Sequence, residues 1–404
     1  MTALAPTLAV AAAEFGWGSA GKLSAVLAAL RAGDPRPRRV VLLGSGLGRP
    51  LLAGHGIDAV HEVSTPGAVA EVLAEEEVDA ALVVLDPAIA NACTAAGVPT
   101  TYVDSLPFLW TRGDLPGFPV AVAAYCAQRC LELPAGSEEV LGHVQRLHWV
   151  DPVVEHAAAG GPGVPAGRWR GAGGRALVNL GGLRSPHAAD WAAYPRLVVP
   201  AVLTALRDTG FEEAHVAGNV PAELAAELVR SAPERLRVSA GPLARADFLA
   251  RLDGGCDVLV TSPGLTTLLE ASSRGVPVVA LPPQNLSQVF NARFHRAAVG
   301  DRFGVRWPAG VFTDEEAVAA SAGGEEAALE VVYGGISRAR PAAVRPALRT
   351  ALADALRAVA AGGTDWGALA ARLGTSGAAQ VAEIVLATGG REHRHRAVDA
   401  QARG

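Results

Sequence analysis

The sequence predicts an α/β protein of two consecutive doubly wound domains facing each other across a cleft. Three observations predict it. Fully apolar segments of strand length alternate with helical segments, as in a parallel sheet covered on both faces. A Gly/Pro-rich stretch without periodicity, residues 157–175, interrupts the alternation, which then restarts. The chain has 404 residues, enough for about two domains.

Each element follows from a local pattern. "TLAVAAAEF" is a short apolar run ending in a glycine-rich turn. "AGKLSAVLAALRAG" has helical spacing of Leu23, Val26, Leu27 and Leu30 and stops at Gly33 and Pro35. "RRVVLLGSG" is a second strand, "AVAEVLAEEEV" a helix, and "DAALVVLD" and "PTTYVDSLPF" two more strands. After the break come the strands "RALVNLGG", "EEAHVAG", "ERLRVSAG", "CDVLVTS" and "PVVALPP". The helices between them are "RLVVPAVLTALRDTG", "AELAAELVRSA", "RADFLARLDGG" and "LTTLLEASSRG". Helical sequence from about 341 to 388 closes the chain. The expected domains are 1–160 and 176–362, joined by a linker at 161–175. A helical segment at 363–390 and a flexible tail at 391–404 follow. His393 and His395 in that tail read as solvated rather than metal-binding.

The bulk numbers narrow the function classes. Half of the residues are hydrophobic, 19% are charged and the net charge is −5. Nothing favours a nucleic-acid backbone, which attracts a basic face. Cys93, Cys126, Cys130 and Cys256 show no C-x-x-C spacing and read as small buried hydrophobes in a reducing cytoplasm. "MTALAPTLAVAAAEF" lacks the basic start of a signal peptide, and no uncharged apolar run reaches the roughly 18 residues of a membrane span.

"GWGSAGKL", residues 16–23, overlaps two nucleotide motifs. Gly16, Gly18 and Gly21 fit the dinucleotide fingerprint. Gly16, Gly21 and Lys22, the single lysine of the chain, fit the front of a P-loop. A P-loop needs a Mg²⁺-holding hydroxyl directly after the lysine, and that position is Leu23. A dinucleotide site needs an acidic residue near the end of the second strand, which here ends in Gly and Ser. Two readings remain: glycines that permit a tight turn, and a loop whose N–H groups meet an anionic ligand at a helix start.

The informative stretch is "DVLVTSPGLTTLLEASSRGVPVVALPPQNLSQVFNA", residues 257–292. Ser262, Pro263 and Gly264 form a small-residue turn after a strand. Thr266 and Thr267 open the next helix, so N–H groups and hydroxyls can meet phosphates. Glu270 lies one turn inside that helix, suited to accept from ribose hydroxyls. Gln284, Asn285, Gln288 and Asn291 follow "VALPP", and each amide both donates and accepts, as recognition of sugar hydroxyls requires.

This stretch resembles the donor half of GT-B glycosyltransferases, in particular the peptidoglycan N-acetylglucosaminyltransferases and the antibiotic glycosyltransferases. The resemblance implies a UDP-sugar co-substrate and no further cofactor. It assigns Gly264, Thr266 and Thr267 to the diphosphate, Glu270 to the ribose, and Gln288, before Asn291-Ala292, to the donor sugar. "AGPLARADF" takes the place of the uracil-contacting segment, with Leu243 nearest the base. "VNLGGLRS", with Gly181 and Gly182, takes the place of a further diphosphate loop. The opening loop, with Gly16, Trp17, Gly18, Ser19, Gly21 and Lys22, corresponds to the glycine-rich loop facing acceptor and diphosphate. Many relatives carry a His in this region; here Lys22 stands near that place, a good anion contact and a poor base.

The combination of "AAAEFGWGSAGKLSAVLAALR", "YVDSLPFLW" and "VNLGGLRSP" resembles the cytosylglucuronate synthases of peptidyl-nucleoside antibiotic pathways. That resemblance implies transfer of glucuronic acid from UDP-glucuronate to N1 of cytosine or hydroxymethylcytosine. Arg184 is then the candidate partner of the uronic carboxylate, with Arg293 in reserve. Glu14 and Asp104 are the candidate bases, and Trp17 or Trp110 the stacking partner of the nucleobase. No Asp-x-Asp pair occurs in the donor half, so no metal is expected. The expected partners are small molecules, neither nucleic acid nor membrane, with a homodimer as the assembly to test. A GT-B-fold isomerase acting on the nucleotide sugar alone and an ATP-dependent enzyme using the opening loop are the competing readings.

Overall fold

The structure, a computed structural model, describes residues 6–13, 18–34, 36–44, 49–155, 173–183 and 190–402, the backbone alone for 50, 53 and 390–402. The chain divides into two compact units. The first comprises residues 1–155 and 373–404, and the second residues 156–372. The sequence reading set a helical segment at 363–390 apart, whereas the structure gives its last part to the first unit.

The first unit holds a seven-stranded parallel sheet. Its strands are β1 (Thr7–Ala12), β2 (Arg39–Leu43), β3 (Ala59–His61), β4 (Ala80–Val84), β5 (Thr100–Asp104), β6 (Ala124–Gln128) and β7 (Leu147–Val150), in the order β3-β2-β1-β4-β5-β6-β7. The strands β4, β5 and β6 are buried along their whole length, which is why β4, AALVV, is an apolar run without alternation. The helix Gly18–Ala32 buries Leu23, Val26, Leu27 and Leu30, as their spacing predicts. It lies in one apolar cluster with Val10 and Leu82 of the sheet and with Ala378, Val381 and Val385 of the helix Gly377–Ala402. A helix covered on two sides needs little polar face, and residues 19–27 are all buried.

The second unit holds a five-stranded parallel sheet. Its strands are β8 (Gly174–Asn179), β9 (Phe211–Ala217), β10 (Arg237–Ala240), β11 (Val258–Thr261) and β12 (Val278–Ala280), in the order β10-β9-β8-β11-β12. Its core joins inward residues of β8, β9 and β11 to the helices Ala193–Asp208 and Pro341–Ala361. Among the described residues no helix is long and apolar enough to cross a membrane.

Candidate functional site

In each sheet the first strand lies between the second and the fourth, so the loops leaving the first and fourth strands diverge. Such a switch point opens a crevice at the carboxyl edge, where ligands of doubly wound sheets bind. In the second unit this is the edge of β8 and β11, where Asn179 and Thr261 are register partners. Asn179 is buried and acts as a hub. Its amide nitrogen donates to Thr261 Oγ1 at 3.2 Å and Thr267 Oγ1 at 3.4 Å, and its oxygen accepts from the Gly181 N–H at 3.2 Å. Gly181 has φ +67, a conformation that favours glycine, so the turn into Gly182 is set by backbone freedom. Behind it, a Cβ on Gly218 would meet the Gly181 carbonyl oxygen at 3.0 Å.

The β11 loop is Ser262-Pro263-Gly264, closed by Gly264 N–H donating to the Ser262 carbonyl at 2.7 Å. The helix Leu265–Ser273 starts there with no side chain capping it. Its first amide N–H groups therefore lack helical partners, beside the half-buried Thr266 and Thr267. Glu270 is fully buried one turn further on. Arg245, which opens the helix Arg245–Ala250 after the Leu243 segment, grips both its carboxylate oxygens: Nη1 lies 3.0 Å from Oε2, and Nη2 bonds Oε1. The ribose candidate is thus held in place by a two-pronged cation.

The β12 loop completes this edge. Asn285 caps the helix Leu286–Val299, its oxygen accepting from the Gln288 N–H at 2.9 Å and Ser287 Oγ at 2.9 Å. Gln288 Oε1 accepts from the Gln284 N–H at 3.1 Å, and Gln284 Nε2 donates to the Leu180 carbonyl at 3.1 Å. The switch-point loops are thus cross-linked by amides. Gly181, Gly182, Ser262, Gly264, Thr266, Thr267, Glu270, Asn285 and Gln288 come together on one edge; Asn285 serves there as a helix cap. Arg184 lies outside the described residues. The reserve cation Arg293 stands 3.7 Å from Glu315 and over the Phe290 ring, its Cζ 6.0 Å from the centroid.

In the first unit, Gly18, Ser19, Gly21 and Lys22 all lie inside the helix Gly18–Ala32. Among the described residues, a Cβ on Gly18 or Gly21 would meet nothing within 4 Å. Lys22 falls in the second turn instead of at a loop-to-helix junction, which removes the P-loop geometry. Its Nζ, buried, donates to Gln128 Oε1 at 3.2 Å. Ser19 Oγ donates to the Ala13 carbonyl. Glu14, Gly16 and Trp17 lie outside the described residues.

Asp104 requires a correction. It is fully buried, and its carboxylate accepts from Tyr125 OH at 2.6 Å, Trp110 Nε1 at 2.7 Å and the Leu106 N–H at 2.9 Å. Burial pushes its pKa above the usual carboxylate range, outweighing these donors. Without solvent exposure and with three protein donors, Asp104 ties Tyr125, Trp110 and the Leu106 turn together. Trp110 is committed with it: its indole donates to Asp104 and stands edge-on to Phe118 at 4.9 Å. Two site features were missed from sequence, the Asn179 hub and Arg245. The only signal for the first is a polar residue ending the apolar run "ALVN".

No family model and no curated protein matches the chain. Solved structures do. A UDP-glucosyltransferase from Polygonum tinctorium, capable of glucosylating indoxyl and in complex with 3,4-dichloroaniline, superimposes with a TM-score of 0.55 at 15% identity, covering 96% of this chain and 99% of that one. MurG of Acinetobacter baumannii gives 0.53 at 13% identity, with 94% and 99% covered. UGT73P12 of Glycyrrhiza uralensis, complexed with glycyrrhetinic acid 3-O-monoglucuronide, gives 0.51 at 12% identity, with 98% and 99% covered. At such identities the likeness concerns architecture, and it agrees with the two strand orders: the chain has the GT-B fold.

Proposed function

We propose that the chain is a UDP-sugar glycosyltransferase. The observation that carries this is Glu270, a fully buried carboxylate held by Arg245 one turn behind an uncapped helix start at the β8/β11 switch point. The uncapped N–H groups, with Thr266 and Thr267, suit a diphosphate, and Glu270 suits the ribose hydroxyls. The solved structures of the same fold include UDP-sugar transferases, which supports the substrate class.

The finer proposal is transfer of glucuronic acid from UDP-glucuronate to N1 of cytosine or hydroxymethylcytosine, on the sequence resemblance. The bond between the anomeric carbon and the β-phosphate oxygen breaks, and UDP leaves with the electron pair. A bond from cytosine N1 to the anomeric carbon forms, and the N1 proton passes to a base. With Asp104 committed to packing, Glu14 is the proposed base. A single displacement inverts the anomeric centre. The test is to incubate the purified chain with UDP-glucuronate and cytosine and follow UDP and the nucleoside product by mass spectrometry. Cytosylglucuronate and UDP in equal amounts are expected. UDP-sugar turnover with another acceptor only would remove the cytosine assignment, and an isomerised UDP-sugar without acceptor would remove the transferase reading.

A further inference from the structure

In the second unit, the helix Leu286–Val299 carries a polar row that continues beyond the candidate site. The helix starts at its cap Asn285 in the β12 loop and runs back along the sheet toward Val278, the first residue of β12. Gln288, Asn291 and His295 follow at three- and four-residue spacing, so they share one helix face. All three are buried, with 7%, 2% and 3% exposed. Asn291 Oδ1 and His295 Nε2 have no hydrogen-bond partner among the described residues, so neither is bonded to the other.

The tautomer of His295 defines what these two atoms accept. The ring donates to the Val278 carbonyl. A carbonyl only accepts, so the bonded nitrogen carries the hydrogen; with Nε2 unpartnered, that nitrogen is Nδ1. Burial, joined by the Arg296 charge, pushes the pKa of the ring down to about 4. The imidazole is therefore neutral near pH 7, and Nε2 presents a lone pair. Asn291 Oδ1 presents lone pairs as well. Two buried acceptors four residues apart on one helix face call for a shared donor with two hydrogens, because an unpaired buried polar atom carries its full desolvation cost. A hydroxyl has one hydrogen. A metal ion takes more protein ligands than these two, and among the described residues no three His, Cys, Asp or Glu gather to hold one. Water has two hydrogens and is stable in a buried site with two polar partners.

We propose that one buried water bridges Asn291 Oδ1 and His295 Nε2, making His295 a positioning residue for the Asn291 amide. The amide oxygen is held toward His295, which turns its N–H₂ group to the end of the row where Gln288, the candidate donor-sugar contact, stands. The water site stands on the two acceptors alone; the positioning role rests on the UDP-sugar reading above.

Full-length chain labelled with ¹⁵N-histidine reports the tautomer, and the signals lost in His295→Gln identify His295 among the ten histidines. Hydrogen on Nδ1 and a bare Nε2 are expected at pH 7. Hydrogen on Nε2 would overturn the proposal, because the ring would then donate to Asn291 itself. A crystal structure of the wild type should place one water about 2.7–3.2 Å from both atoms. Direct contact between the two side chains, or a water on only one of them, would also overturn it. For the positioning role, UDP, UDP-glucose and UDP-glucuronate are titrated into wild type, His295→Leu and His295→Gln, each confirmed folded by its melting curve. His295→Leu should weaken whichever UDP-sugar the wild type binds by roughly two- to tenfold, the scale of one neutral hydrogen bond, and leave UDP unchanged. His295→Gln keeps a donor for Val278 and an acceptor for the water, and should restore most of the affinity. Equal losses for UDP and the UDP-sugar would overturn the positioning role in favour of packing. A wild type that binds none of the three would discard the UDP-sugar reading and the positioning role with it, while the tautomer and the crystal structure still decide the water site.

Discussion

The two sheets share the strand order of their first five strands, yet their carboxyl edges are prepared in different ways. At the second, Asn179, Thr261, Thr267, Gln284 and Gln288 bond to one another and to the turns, and Arg245 holds Glu270. At the first, Asp104 accepts from three donors on one face, while Ser105 Oγ and Gln128 Nε2, on the other, are buried without partners among the described residues. A cross-linked edge is rigid before any ligand arrives, so little ordering is needed on binding. An edge with orphaned donors gains most from an incoming acceptor. One topology thus provides a cross-linked polar edge in one unit and, among the described residues, two buried donors without partners in the other.

The contrast has consequences for stability. Asp104→Asn turns one acceptor into a donor facing Tyr125 and Trp110, and should cost about 2–4 kcal/mol in denaturant unfolding. The sign of its pH dependence follows from burial. The native carboxyl titrates above its unfolded value, so its stabilisation is full below the unfolded value and is lost as pH rises through the native one. The gap between wild type and Asp104→Asn should therefore narrow with rising pH; a widening gap would mean that the three donors outweigh burial. Asn179→Ala should cost about 1–3 kcal/mol and also weaken UDP binding, because the Gly181 turn and Thr267 lose their hub. Lost stability with unchanged UDP affinity would separate the hub from the ligand site.

Ser105→Ala, by contrast, removes a hydroxyl without a partner among the described residues, so the ligand-free protein should change by less than about 0.5 kcal/mol. A loss above about 1 kcal/mol would reveal a bonded hydroxyl and dissolve the contrast between the edges. The smallest effect concerns metal. With the diphosphate assigned to helix N–H groups and hydroxyls, transfer should survive EDTA. Complete loss restored by Mg²⁺ would revive the nucleotide-triphosphate reading of the opening loop.

Much of the fold is legible because burial on both faces writes a strand as an apolar run, as in "DAALVVLD" and "DVLVTS". Three strands are not. β3 has three half-buried residues. β6 lies in an Ala/Cys-rich stretch whose small side chains fit helix or strand equally. β7 is an edge strand with His148 and Trp149 exposed, so it shows no run. Ala378, Val381, Ala382 and Val385 mark the last helix, but nothing in their spacing tells which sheet it covers. At the candidate site the turn-helix from Ser262 to Glu270 is local and was readable. Arg245 is 25 residues from Glu270, and the donors to Asp104 come from another strand and another loop, so those partners had to be seen in space.

Calorimetric titration of UDP into wild type and Glu270→Gln addresses the nucleotide assignment itself. Gln keeps the shape and removes the charge that Arg245 grips and that would accept from the ribose. Wild type should bind UDP, and the variant, confirmed folded by its melting curve, should bind it about ten- to a hundredfold more weakly. Equal affinity in the two proteins, or no UDP binding in wild type, would contradict the placement of the nucleotide at the β8/β11 edge.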